Sequence, residues 1–220
     1  SFSPYDFTYT EISVGTLAKL RDAVKKSNVE IKLTEDLVID LEAGSPDRSG
    51  DYTMTTSGGD IYFNAVNIIG ENVAINLNGH KITVKCSDAY NGNQDVGALF
   101  FVNESGSLNI IDRAGNGYIK MASSIYMVWA PYASPSYVDI YSGAFIADSY
   151  AGDPIGTSSD PDSADGTMQN ENSNRALIYA GFGGNMNVYG GYFLYNNTPN
   201  DLKNRNNGAF NCTNGYEGNH

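Results

Sequence analysis

The sequence predicts an all-β fold, a single solenoid of stacked parallel coils with an N-terminal α-helix lying over its first open end. Two observations carry that prediction. The first is a short phrase that recurs four times, as Ile75-Asn76-Leu77-Asn78-Gly79-His80-Lys81-Ile82, as Leu108-Asn109-Ile110 followed by Gly117-Tyr118-Ile119, as Val138-Asp139-Ile140-Tyr141-Ser142-Gly143-Ala144-Phe145 and as Met186-Asn187-Val188-Tyr189-Gly190-Gly191-Tyr192-Phe193. Each copy reads apolar, Asn or Asp, apolar, then a glycine-bearing turn and the start of a second apolar strand. The second is the spacing. Ile75 to Leu108 is 33 residues, Leu108 to Val138 is 30 and Val138 to Met186 is 48. Solenoid coils run to about 20–50 residues.

Taken in order, residues 1–15 form an aromatic and polar arm in which Phe2, Tyr5, Phe7 and Tyr9 alternate, as in an extended or edge strand. Residues 16–28 hold the helix: Thr16 is a good N-cap, Leu17, Leu20, Ala23 and Val24 share one face, and Lys25 and Lys26 sit where the helix dipole favours cations. So short and one-sided a helix suits a cap over an exposed core end. Residues 29–220 are read as the solenoid. Val29-Glu30-Ile31-Lys32-Leu33 and Leu37-Val38-Ile39-Asp40-Leu41 alternate as strands, a polar loop follows over 43–59, and strands resume at Ile61-Tyr62-Phe63 and Val66-Asn67-Ile68-Ile69. A strand such as Ala98-Leu99-Phe100-Phe101-Val102 or Tyr126-Met127-Val128-Trp129 leads into each later phrase. Residues 150–174 are rich in Ser, Asp, Gly and Pro without apolar periodicity, and read as an inserted loop that lengthens one coil.

In stacked parallel copies, alternation sends Ile75, Leu77, Leu108, Ile110, Val138, Ile140, Met186 and Val188 inward. Asn76, Asn109, Asp139 and Asn187 then form one outward column with a step of about 4.8 Å.

Composition narrows the function classes. Hydrophobic residues make up 41% of the 220, enough for a packed interior, and charged residues only 17%. The net charge of −12 excludes nucleic acid as the expected partner, since phosphate binding needs a basic footprint. Beyond Lys120 only Arg175, Lys203 and Arg205 are basic. Cys86 and Cys212 show no metal spacing, and both buried thiols and a disulfide remain open. No run is long enough for a membrane span. The start at Ser1 and the unfinished glycine-rich turn before His220 suggest a trimmed mature chain or a fragment, without membrane insertion.

The helix, Val29-Glu30-Ile31-Lys32-Leu33, Val73-Ala74-Ile75-Asn76-Leu77-Asn78-Gly79 and the later phrases resemble the right-handed parallel β-helix proteins of the pectate-lyase-like superfamily. More narrowly, they are similar to the β-helix repeats of bacterial cell-surface and phage tail proteins. The resemblance runs from about Thr16 to Cys212. It implies a right hand for the coil, an extracellular or cell-surface location and carbohydrate chemistry or binding on an outer sheet face. It carries no catalytic signature: neither a basic residue beside calcium-binding aspartates nor a tight aspartate cluster with a histidine is matched residue by residue.

The candidate ligand-binding residues are Asp139, Tyr141, Asn187 and Tyr189. Flat aromatic rings beside amide groups suit sugars, which offer C–H faces and hydroxyls. The plainer reading is that asparagine ladders and stacked rings stabilise the coil. No catalytic residue is assigned. An enzyme of the lyase or glycoside-hydrolase type would need two or three of Asp112, Arg113, Asp139, Asp148 and Arg175 to converge in one groove, because glycoside hydrolysis takes two carboxylates at a set separation. Asp160, Asp162 and Asp165, in Asp160-Pro161-Asp162-Ser163-Ala164-Asp165-Gly166, are the candidate metal ligands. They form a weak calcium site that departs from the EF-hand spacing, and no other cofactor is expected. Trp129 and Tyr132 either join the binding surface or plug the core. The expected function is a carbohydrate-binding or scaffolding surface protein. The alternatives are the enzyme and a trimeric phage tail or fibre component. The sequence leaves the oligomeric state open.

Overall fold

A computed structural model describes residues 9–42, 44–48, 53–55, 61–86, 94–103, 105–121, 125–130, 136–148, 177–181, 185–196 and 210–213. The chain is predominantly β, and its described strands fall into three sheets. The first sheet runs β1 (Thr10–Val14), β2 (Val29–Leu33), β6 (Val73–Asn76), β9 (Ser107–Ile111), β12 (Tyr137–Ile140) and β15 (Asn185–Val188). The second runs β3 (Leu37–Asp40), β7 (Lys81–Lys85), β10 (Tyr118–Met121), β13 (Ala144–Asp148) and β16 (Tyr192–Asn196). The third runs β4 (Thr53–Thr55), β5 (Ile61–Ile68), β8 (Gln94–Val102), β11 (Tyr126–Ala130), β14 (Ile178–Gly181) and β17 (Phe210–Thr213). From β5 onward the chain visits third, first and second sheet in strict rotation. All pairings are parallel except β4 with β5. This is the solenoid-like arrangement that the repeated phrase implies.

The inner faces close on one core. Val29, Ile31, Leu33, Val73, Ile75, Leu108, Ile110, Val138 and Ile140 come from the first sheet. Ile39, Ile82, Val84, Ile119 and Phe145 come from the second, and Val66, Phe100, Val128 and Ile178 from the third. Helix α1 (Leu17–Ala23) begins at Thr16, whose hydroxyl accepts the Lys19 N–H, and buries Leu20 and Ala23 against the same core. The backbone N–H of Gly70 donates to the Val24 carbonyl at 3.1 Å, so the helix end is tied to the turn before β6. A Cβ at Gly70 would lie 2.1 Å from the Lys26 carbonyl oxygen, a distance that admits no side chain.

Several details differ from the sequence expectation, among them the strand β4 within the stretch read as a polar loop over 43–59. The stretches read as two strands at 61–63 and 66–69 form the single strand β5, with a bulge between Phe63 and Asn64. The helix is also shorter than the apolar face suggested, because Val24 already serves as its C-cap. The expected loop at 150–174, with Asp160, Asp162 and Asp165, lies outside the described residues, as do Tyr132 and Arg175.

The turn from first to second sheet repeats at Gly143 and Gly191, whose φ angles are +114° and +121°. That backbone conformation favours glycine. It also lets Phe145 and Phe193 stack at 4.9 Å between centroids, 13° from parallel, one coil apart.

Candidate functional site

The outer face of the first sheet is a set of columns, each made of side chains one strand apart. Register places Asp139 beside Asn187 and Asn109 beside Asp139. It does not place Asn76 beside Asn109, as the repeated phrase suggests: Ala74 holds that position and Asn76 pairs with Ile111. The cause is the run Val73-Ala74-Ile75-Asn76-Leu77, which alternates for five residues. A two-residue slide keeps apolar groups inward in either register, so alternation alone cannot fix the alignment. The column is therefore Glu11, Glu30, Ala74, Asn109, Asp139 and Asn187.

At its far end this column is open. The Asn187 Nδ2 group donates to Asp139 Oδ1 at 2.8 Å, and Asn187 is exposed. Beside it the rings of Tyr141 and Tyr189 stack at 4.8 Å and 6° from parallel. Tyr141 is half-buried, whereas Tyr189 is 65% exposed. The four residues expected to bind a ligand thus stand together on two successive strands and the turns that follow them. Tyr192, at 59% exposed, follows on β16.

Between the exposed Glu11 on β1 and Asn109 the column is covered. Glu30 and Ala74 are 9% and 2% exposed although both face outward. Arg113 grips Glu30 with two bonds, Nε to Oε1 at 3.0 Å and a terminal nitrogen to Oε2 at 2.8 Å. Asn76 Nδ2 donates to the same Oε1 at 2.8 Å, and Asn76 Oδ1 accepts the backbone N–H groups of Asn78 and Arg113. The hydrogen bond from Arg113 holds the Glu30 carboxyl below its ordinary range, against the opposing effect of burial. Over this cluster Asn109 Nδ2 donates to the Tyr9 hydroxyl at 3.3 Å. Burial and then the charge of Glu30 push the Tyr9 phenol above its ordinary range. Asp139 pushes the same way, while the Asn109 bond opposes. The sequence gives no hint of the Glu30–Arg113 pair, whose members are 83 residues apart.

Of the charged groups named for an enzyme reading, the three with described side chains are each engaged separately. Asp112 is buried and turned onto the backbone, where Oδ1 accepts the Gly79 N–H at 2.8 Å and Oδ2 the Gly117 N–H at 2.6 Å. It braces two successive glycine turns. Arg113 is engaged with Glu30, Asp139 with Asn187, and Asp148 belongs to β13 in the second sheet. Among the described residues no group of three or more His, Cys, Asp or Glu side chains is placed to hold a metal ion. Comparison with protein-family models, curated proteins and solved structures finds no match for this chain. The site therefore rests on its own geometry.

Trp129 and His80 also have a definite place. Trp129 lies in an outer aromatic cluster of the third sheet with Phe101, Tyr126 and Tyr179, away from the Tyr141–Tyr189 stack. Its ring meets Phe101 edge-on at 5.4 Å. His80 sits at a turn with Nδ1 3.3 Å from Asp36 Oδ1. The backbone N–H of Lys81 holds the Asp36 carboxyl below its ordinary range. No described helix is long and apolar enough to cross a membrane.

Proposed function

We propose that this chain is an extracellular or cell-surface right-handed parallel β-helix of the pectate-lyase-like kind, capped at its N-terminal end by α1, that binds neutral carbohydrate on the first sheet. The observation that carries this reading is the half-open stack. Tyr189 shields one face of Tyr141 and keeps its own far side in solvent. A pyranose laid on that far side continues the stack with its C–H face. Asn187 then meets the ring hydroxyls with an amide that both donates and accepts. Asp139 and Glu30 in the same column disfavour uronic acids and sulfated sugars, so the ligand is an uncharged glycan. No catalytic role is assigned, because the carboxylates nearest the column are engaged with an amide and a guanidinium.

The test is retention on an array of neutral and acidic polysaccharides. Neutral glycans are expected to be retained. Tyr189→Ala is expected to weaken binding about five- to ten-fold, the effect of losing one ring stack. Selective retention of acidic glycans, or full retention after Tyr189→Ala, would overturn the assignment.

A further inference from the structure

The outward column changes character along the solenoid. Asn187 and Tyr189 are exposed, Asp139 is half-buried, and Glu30 and Ala74 are shut off from solvent. Asn109 stands at the boundary, one strand from Asp139. Its amide donates to a phenol that arrives from a residue 100 positions earlier in the chain, ahead of the first strand. Tyr9 is not built into the ladder. It belongs to no strand, and its backbone precedes Thr10, whose N–H is fixed to the Asn28 carbonyl at 3.0 Å.

What Tyr9 presents to Asn109 has the chemistry of a sugar: a flat ring carrying a hydroxyl at its rim, accepting from an amide. The column on which it sits continues directly into the open site. From Asn109 to Asn187 is two strand spacings, about 10 Å, which is more than a single pyranose spans. A ligand of several units lying along the column from Tyr189 would meet Tyr9 next.

Resting on the carbohydrate reading above, we propose that Tyr9 is a displaceable strap: it occupies the inner part of the glycan face, and longer oligosaccharides bind by taking its place on Asn109. The exchange is conservative, since a sugar hydroxyl replaces a phenol hydroxyl as the acceptor. The strap therefore sets a length threshold. Short ligands use only the open end and do not sense it. Long ones compete with it, and their apparent affinity is reduced by the fraction of molecules in which the strap is closed.

The experiment compares wild type, Tyr9→Ala, Tyr9→Phe and Tyr189→Ala against a neutral β-linked glucan series from disaccharide to hexasaccharide by calorimetry. Nitration of Tyr9 is mapped by mass spectrometry with and without hexasaccharide. Tyr9→Ala is expected to tighten hexasaccharide binding about two- to ten-fold and leave the disaccharide unchanged, with Tyr9→Phe between it and wild type. Hexasaccharide is expected to raise Tyr9 nitration in the wild type. If Tyr9→Ala leaves every length unchanged or weakened while Tyr189→Ala weakens binding about five- to ten-fold, the strap is refuted and the binding reading stands. If neither wild type nor Tyr9→Ala binds any member of the series, both fall. Circular dichroism of Tyr9→Ala separates loss of fold from loss of contact.

Discussion

Glu30 and Arg113 join β2 to the turn after β9, passing over the intervening strand β6, and their separate and joint removal measures what that bridge contributes. The Glu30 side chain is 12% exposed and that of Arg113 43%. Exposed ion pairs contribute about 0.2–1 kcal/mol, and hydrogen bonds to charged groups about 1.5–3 kcal/mol. The two-pronged geometry argues for the upper range, but the Arg113 side chain is 43% exposed and solvent screening pulls the figure down. Arg113→Ala is therefore expected to cost about 1–2 kcal/mol, since it leaves a shielded carboxylate with the Asn76 amide as its remaining described side-chain hydrogen bond. In a chain of this size that lowers Tm by about 2–8 °C. Glu30→Gln keeps an acceptor for Asn76 and is expected to cost about 1 kcal/mol. The double variant closes a thermodynamic cycle in urea, with an expected coupling of about 1 kcal/mol. A coupling below about 0.3 kcal/mol, the usual error of additivity, means that the pair does not bridge the coils. Acid adds an independent check. Because the folded Glu30 carboxyl lies below its ordinary value, the stability it contributes is complete above that value and is lost as pH falls through the folded one. Below about pH 4.5 the wild type should therefore lose stability more steeply than Glu30→Gln.

Asp112→Asn removes one of two carboxylate oxygens that accept backbone N–H groups, and is expected to cost about 2 kcal/mol in urea unfolding. An unchanged midpoint would return Asp112 to the list of functional candidates. Phe145→Ala empties a fully buried position and strips the stack on Phe193, for about 3–5 kcal/mol. A loss under 1 kcal/mol would mean that the second sheet is not packed on the core as described.

Apolar alternation carried most of the architecture, because stacked parallel strands repeat it in every coil. Val138 opposite Leu108 and Met186 opposite Val138 pair as the repeat spacing implies. The same logic misplaced Asn76, since the run from Val73 to Leu77 presents an equivalent inner face in two registers. Loop length absorbs the difference, and loop length is invisible to periodicity. Asp139, Tyr141, Asn187 and Tyr189 were legible as a group because they occupy equivalent places in adjacent copies. Tyr9 and Arg113 were not. Their partners lie 100 and 83 residues away, and no local pattern encodes a phenol meeting a distant amide or a side chain reaching over an intervening strand.

The Glu30–Arg113 bridge also bears on how the molecule comes apart. A stack in which each coil touches only its neighbours behaves as a one-dimensional array that can fray a unit at a time. A contact that skips a coil breaks that rule, for β6 cannot detach without either breaking the bridge or taking β2 and β9 with it. Those three strands should exchange their amide hydrogens as one protected block, together with α1. Strand β15, whose inward-pointing Val188 is 43% exposed, should exchange far sooner. Under a pulling force applied from the C-terminal side, the late coils should peel in small successive steps before a single larger rupture at the stapled end. Ligand caught on Tyr189 would load the weakest coil first.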